Sequence, residues 1–313
     1  MSEYILNLLP LKEEERLWFE QTAPEAVHVY AGRRTVTPEQ LAQATVVFGW
    51  PRPRDMKQAV NLKWFQSMFA GVDEYLEPGT IRTEALLTSS SGSNSRSVAE
   101  NMLTCLLALQ RKLPLYRDSQ RRHVWADEGA AKTLIGATVL VVGAGHIGSC
   151  FAGLCKALGA GETIGLKRSV GAVAGFDRVE CLEALDELLP QADVVALALP
   201  HTPETVKLMD ARRLALMKED AILLSSGRGS VLDQEALVQT MTGGKLWGAA
   251  LDVTEPEPLP ADSPLWDIPN LIITPHVAGG IRLEITRRRC VEMAQENLVR
   301  YLAGEPLHNL IRR

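Results

Sequence analysis

The sequence predicts an α/β protein of two Rossmann-like or flavodoxin-like lobes, each built on a parallel sheet. Three observations carry that expectation. Short apolar runs alternate with segments of helical period along the whole chain. Most of the runs are continuously apolar, as strands covered by helices on both faces must be. Near the middle, Gly143-Ala144-Gly145-His146-Ile147-Gly148 follows such a run and opens a helical segment. With 313 residues, 46% of them hydrophobic, the chain is long enough and apolar enough for two cores.

The strands of the first series are expected at 4–9, 27–30, 46–50, 62–68 and 85–88. Helical stretches at 13–20 and 38–43 separate them. Pro38 after Thr37 suits a first helical turn, where its missing N–H would have no partner. Residues 89–95 are small and polar, and read as a loop or crossing. The amphipathic segment 98–113 then carries Met102, Leu103, Leu106, Leu107 and Leu113 in one stripe, suited to a core or a subunit interface. A second series of strands is expected at 138–142, 163–166, 194–199, 222–225, 248–253 and 271–274, and a helix at 283–303 closes the chain.

Composition removes several classes of function. A net charge of -5 without any basic run argues against nucleic acid as a partner. The cysteines (Cys105, Cys150, Cys155, Cys181 and Cys290) are odd in number and form no Cys-x-x-Cys or Cys/His cluster. Free buried thiols in a reducing compartment are expected, with no metal site. No apolar run approaches the ~18 residues of a membrane span, and no basic leader opens the chain. A cytoplasmic protein without a membrane partner is therefore expected.

The glycine loop fits a dinucleotide. Gly143 permits a tight turn, Gly145 lets the backbone approach a pyrophosphate, and Gly148 lets helix and strand pack closely. His146 and Ile147 begin the helix, whose free N–H groups and dipole favour phosphate. NAD sites usually place Asp or Glu at the end of the next strand. Here that strand ends Gly165-Leu166-Lys167-Arg168-Ser169. Two cations and a hydroxyl attract a 2′-phosphate, so NADPH is expected over NADH. If these charges have no role, NADH remains open.

Three later segments each lie beyond the C-terminal end of an expected strand, where open α/β sheets bind ligands. They are Ser225-Ser226-Gly227-Arg228-Gly229, Leu251-Asp252-Val253-Thr254-Glu255-Pro256-Glu257-Pro258 and Thr274-Pro275-His276-Val277-Ala278-Gly279-Gly280. An arginine, carboxylates and a histidine thus reach one sheet edge. Gly279-Gly280 reads as a hinge beside the histidine.

Together with Phe69-Ala70-Gly71-Val72-Asp73, Asn94-Ser95-Arg96-Ser97-Val98-Ala99-Glu100 and Leu199-Pro200-His201-Thr202-Pro203-Glu204-Thr205, these motifs resemble the D-isomer-specific 2-hydroxyacid dehydrogenase family over nearly the whole chain. The resemblance implies that Arg228 binds substrate, His276 is the general acid and Glu257 its partner, with Glu255 a rival carboxylate in poorer register. It implies that Asp252 faces the nicotinamide carboxamide. It implies that Pro200, Thr205, Ser226 and Gly227 line the cofactor, and that the backbone of Ala70, Gly71 and Val72 binds the substrate carboxylate.

Ser225, Asn101 and Thr254 depart from the family's usual residues, which bears on pocket shape and not on the catalytic set. The family implies a substrate domain of residues 1–97 plus 283–313, a dinucleotide domain of 98–282, an active site in the cleft between them, and a homodimer. It implies reduction of a small 2-keto acid such as glyoxylate or hydroxypyruvate to the D-2-hydroxy acid. The alternatives on this fold are a nucleotide-sensing regulator and an oxidoreductase for a different substrate, such as phosphite.

Overall fold

Continuous apolar runs become the strands of two sheets in which every named strand pair is parallel. The computed structural model describes residues 2–312. The chain divides into two units, one of residues 1–94 with 281–313 and one of residues 95–280.

The first unit begins with β1 (Tyr4–Asn7), α1 (Glu13–Thr22), β2 (Val27–Tyr30), α2 (Pro38–Gln43), β3 (Val46–Gly49), α3 (Pro53–Met56), β4 (Trp64–Ser67) and β5 (Leu86–Thr88). Its sheet has the order β2-β1-β3-β4-β5. Successive residues of a strand face opposite sides. Leu6, Val47, Phe65 and Leu87 therefore join one core, while Ile5, Val46, Phe48 and Trp64 join the other. At the start of α2 the Thr37 hydroxyl accepts from the Gln40 N–H, and the Gln40 side chain accepts from the Thr37 N–H. This reciprocal cap, with Pro38 in the first turn, fixes the helix where the sequence expects it.

The second unit comprises α4 (Ser95–Gln110), α5 (Leu113–Arg121), β6 (Thr138–Val142), α6 (His146–Ala157), β7 (Glu162–Lys167), β8 (Arg178–Cys181), α7 (Leu185–Leu188), β9 (Val194–Leu197), α8 (Ala211–Leu216), β10 (Ile222–Ser225), α9 (Gln234–Thr242), β11 (Gly248–Leu251) and β12 (Leu271–Ile273). Its sheet runs β12-β11-β10-β9-β6-β7-β8. Helices α4 and α6 cover one face through Met102, Leu106, Phe151 and Cys155, which pack on Val139 and Val141. Leu140, Val142, Val195 and Leu223 face the opposite core.

Two features differ from the sequence expectation. The helix expected at 98–113 starts at Ser95 and breaks at Lys112, whose φ of +55° is left-handed. Leu113 therefore belongs to α5 and is exposed, while Met102 and Leu106 stay buried. Strand β8 was not expected. It lies at the sheet edge, where only Val179 is buried, and Arg178 pairs with Glu162 and Glu180 at 2.8 and 3.1 Å. Among the described residues no helix is long and apolar enough to cross a membrane.

The chain returns to the first unit with α10 (Glu284–Ala303), whose Val291, Ala294 and Leu298 complete the core around Trp64. Arg287 anchors the start of this helix. It is 8% exposed, and its guanidinium bonds Glu15 at 2.8 and 2.9 Å, Glu284 at 2.8 and 2.9 Å, and the Pro10 carbonyl at 3.2 Å.

Removing Arg287 leaves Glu15 half-shielded without its cation. Arg287→Met is expected to cost about 3 kcal/mol in chemical denaturation. Bonds from Arg287 and then Lys12 hold Glu284 at about 2, below its ordinary value of 4.5. A depressed carboxylate stabilises the fold above its unfolded value, and that contribution fades as pH falls through the folded value. The unfolding midpoint is therefore expected to drop between pH 4.5 and about 2, and to drop less in Glu284→Gln.

Candidate active site

β6 delivers the chain to the glycine turn. Gly143 has φ +116°, and a β-carbon there would stand 2.7 Å from the Ala198 backbone. Its N–H and that of Ala144 both donate to the Leu166 carbonyl, tying the turn to β7 at 3.0 and 2.8 Å. A β-carbon on Gly148 would meet the Gly143 carbonyl and lie 2.9 Å from Val141 Cγ1, so α6 packs on β6 only with glycine there. At Gly145 a β-carbon would meet nothing within 4 Å. That open face leaves room for a phosphate to approach the backbone. The first bond inside α6 runs from Ser149 N–H to the Gly145 carbonyl at 2.9 Å. Among the described residues the amides of His146, Ile147 and Gly148 make no hydrogen bond, so three donors and the helix dipole face that opening. The loop fits a dinucleotide phosphate.

Lys167 is the last residue of β7, and Arg168 and Ser169 follow it at the surface. Neither cation takes part in an ion pair among the described residues. Nearby, the Thr205 hydroxyl is buried in the turn that Pro200 opens. It donates to the Pro200 carbonyl at 2.8 Å and accepts from the Thr202 N–H at 2.8 Å, so Thr205 shapes this loop from within.

Beyond β10, β11 and β12 lie the three segments that carry Arg228, Glu257 and His276. Ser226 N–H donates to the Leu197 carbonyl at 3.0 Å, and Arg228 follows in extended conformation with Nη1 on the Gly227 carbonyl at 3.0 Å. Ser225 hides its hydroxyl without a hydrogen-bond partner.

Glu257 Oε2 lies 2.8 Å from His276 Nδ1, while Oε1 accepts from the Thr254 N–H at 3.1 Å. Both carboxylate oxygens are thereby fixed. The Glu255 carbonyl instead accepts from Gln234. With Nδ1–H pointing at Glu257, Nε2 carries the open side of the ring, and the His276 side chain is 49% exposed.

Asp252 sits under this histidine. The residue is 5% exposed, and its carboxylate accepts from the Thr274 hydroxyl at 2.6 Å, the Val277 N–H at 3.0 Å and the Ala278 N–H at 3.2 and 3.3 Å. Its carbonyl accepts from the His276 N–H at 2.8 Å. These bonds wrap residues 274–278 around one carboxylate and hold His276 at φ +52°, a conformation costly for a residue with a β-carbon.

In the first unit, the residues after β4 form a second recognisable feature. The Ser67, Met68 and Phe69 carbonyls accept from Ser90 Oγ, Cys290 Sγ and Ser90 N–H at 2.8, 3.1 and 3.0 Å. With these carbonyls engaged, the following amides of Ala70, Gly71 and Val72 make no hydrogen bond among the described residues. Successive unpaired amides of this kind suit an anion.

Residues 103–278 match the model of the D-isomer specific 2-hydroxyacid dehydrogenase, NAD binding domain. The chain belongs to the D-isomer specific 2-hydroxyacid dehydrogenase family. A solved family member from Aeromonas salmonicida is 35% identical, with a TM-score of 0.87 over 100% of this chain and 99% of its own. One from Xanthobacter autotrophicus, in complex with NADPH and MES, is 29% identical with a TM-score of 0.81, covering 100% and 98%. A glyoxylate reductase from Aeropyrum pernix is 31% identical, over 82% of this chain and 78% of its own. The chain spans about half the length of the curated D-3-phosphoglycerate dehydrogenases it matches, such as that of Mycobacterium bovis, which is 35% identical.

The dehydrogenase is thus an oxidoreductase that binds a nicotinamide dinucleotide. Sequence reasoning singled out Asp252 but missed Thr274 and the inward direction of the Asp252 bonds. The only signal was a Thr placed between a strand and Pro275.

Asp252→Ala would strip the acceptor from two backbone amides, at about 1–3 kcal/mol for each buried group left unpaired. Amide hydrogen exchange at Val277 and Ala278 is expected to accelerate in this variant, while exchange in β6 stays slow.

Proposed function

We propose that this dehydrogenase reduces a small 2-keto acid to the D-2-hydroxy acid with NADPH. The His276–Glu257 pair at 2.8 Å carries the reading, because it presents an imidazole ready to deliver a proton. The second unit serves as the dinucleotide-binding domain and the first as the substrate domain. The protein acts as a cytoplasmic homodimer, for which the exposed Leu107 of α4 and Leu113 of α5 are contact candidates.

When bound, the nicotinamide supplies hydride to the carbonyl carbon. Negative charge then builds on the carbonyl oxygen, and His276 Nε2 delivers a proton to it. Glu257 fixes the ring through Nδ1, leaving Nε2 for the transfer. Arg228 offers a planar fork to the substrate carboxylate and polarises the ketone beside it. In the first unit, the unpaired amides of Ala70, Gly71 and Val72 suit a carboxylate. A placed acid supplies roughly 10²–10⁴ in rate.

For the cofactor, Gly143, Gly145, His146, Ile147 and Gly148 serve the pyrophosphate. Lys167, Arg168 and Ser169 serve a 2′-phosphate. Pro200, Thr205, Ser226 and Gly227 shape the rest of the cofactor surface, and Asp252 holds the His276 loop against the nicotinamide end. The NADPH complex of the Xanthobacter relative and the name of the Aeropyrum relative support this reading. Glyoxylate and hydroxypyruvate are the first substrates to assay.

NADPH is expected to exceed NADH in kcat/KM by about tenfold or more, since each exposed cation near a phosphate contributes on the order of 1 kcal/mol. Arg168→Glu should reverse that order, and equal efficiencies in wild type would contradict it. Arg228→Lys keeps the charge but loses the fork, and should lower kcat/KM roughly 100-fold. Because reduction of a keto acid takes up one proton overall, the equilibrium measured with both acids present should move toward the hydroxy acid as pH falls. Tight NADPH binding without turnover of any keto acid would instead favour a nucleotide sensor.

A further inference from the structure

Three loops meet around one tryptophan at the carboxyl edge of the first unit's sheet. Trp50 directly follows β3, Phe69 follows β4, and Arg33 follows β2. The Trp50 and Phe69 rings meet edge to face, with centroids 4.7 Å apart. The Trp50 indole N–H donates to Glu74 Oε1 at 2.7 Å, which fixes the ring. The Arg33 guanidinium lies flat over that ring, 3.4 Å from its centroid.

Arg33 has an uncommon set of partners. Its Nε is buried without a hydrogen-bond partner, and among the described residues the guanidinium makes no ion pair. Glu74 is committed to the indole. A partly shielded guanidinium loses hydration and regains only the cation–π attraction. Stacking holds the fork by its face while Nε stays unpartnered, and a planar guanidinium is the group used to hold carboxylate and phosphate. Phe69, in contact with the same indole, leads into the unpaired amides of Ala70, Gly71 and Val72. Two anion-seeking features therefore share one edge of one sheet, with Trp50 and Phe69 between them.

We propose that Arg33 recognises a second anionic group at the far end of the substrate, so that the keto acids preferred by this enzyme carry a distal carboxylate or phosphate. This rests on the reading of the enzyme as a 2-keto acid reductase whose amides at 70–72 take the α-carboxylate. Arg33 is a specificity residue that acts on affinity for the tail. Trp50 and Glu74 are positioning residues that hold the guanidinium at its post.

The test compares keto acids with and without a charged tail in wild type, Arg33→Gln and Arg33→Lys, using saturating NADPH. The uncharged set is glyoxylate, 2-ketobutyrate and hydroxypyruvate. Oxaloacetate and 2-ketoglutarate carry a distal carboxylate, and 3-phosphohydroxypyruvate carries a phosphate. Wild type is expected to prefer a charged tail by at least tenfold in kcat/KM, chiefly through KM. Whichever charged arm shows the larger preference identifies the anion.

Arg33→Gln should lose that preference, keep its kcat/KM on uncharged acids within twofold, and unfold at an unchanged midpoint. Arg33→Lys should recover part of the loss. Uncharged acids turned over as well as or better than charged ones by wild type would overturn the Arg33 assignment and leave the reductase reading standing. So would an equal loss on both sets in Arg33→Gln. Failure of wild type to turn over any keto acid would overturn both.

Discussion

A single buried carboxylate organises the chemistry of the second unit. Asp252 lies at the end of a central strand, where a charge on a residue 5% exposed is tolerable only if its oxygens are bonded. The Thr274 hydroxyl and the amides of Val277 and Ala278 bond them. Those same bonds bend the chain through the left-handed conformation of His276 and turn its ring toward Glu257. The cost of burying the charge and the cost of the strained histidine are met by one set of hydrogen bonds. Weakening that set would release the ring even with Glu257 and His276 intact.

The dinucleotide loop follows a different principle. It works by what it lacks. Side chains are missing at Gly143 and Gly148, where backbone would collide with them, and at Gly145, where space is open. The charged discrimination sits one strand away, at Lys167 and Arg168. In the proposed reading, the second unit separates holding the phosphates, assigned to backbone amides, from reading the 2′ position, assigned to side chains. In the first unit the carbonyls of Ser67, Met68 and Phe69 are engaged from behind, leaving amides forward. Both units present unpaired backbone N–H groups at strand ends.

The fold was legible because buried parallel strands must be apolar throughout, and Val139 to Val142 or Leu223 and Leu224 announce themselves without homologues. β8 was not legible, because an edge strand with Arg178 and Glu180 carries the polarity of a loop. The break at Lys112 was hidden as well, since nothing in Gln110-Arg111-Lys112-Leu113 marks a left-handed residue. In the site, Arg228, Glu257 and His276 stood out by residue type and by their place after strands. The 2.8 Å contact pairs His276 with Glu257 and not with Glu255, the rival that the register already fitted less well. Arg33 had no such signature. A lone arginine in a surface loop is ordinary until its guanidinium is found on a tryptophan face with a buried, partnerless Nε.

The central claim is that His276, held by Asp252 and Glu257, donates the proton that completes hydride transfer. Single-turnover oxidation of bound NADPH by a keto acid, followed in wild type and His276→Gln, tests it most directly. The account predicts unchanged NADPH affinity in the variant with hydride transfer slowed by roughly 10²–10⁴, the range a positioned acid supplies. Hydride transfer at the wild-type rate in His276→Gln would contradict it.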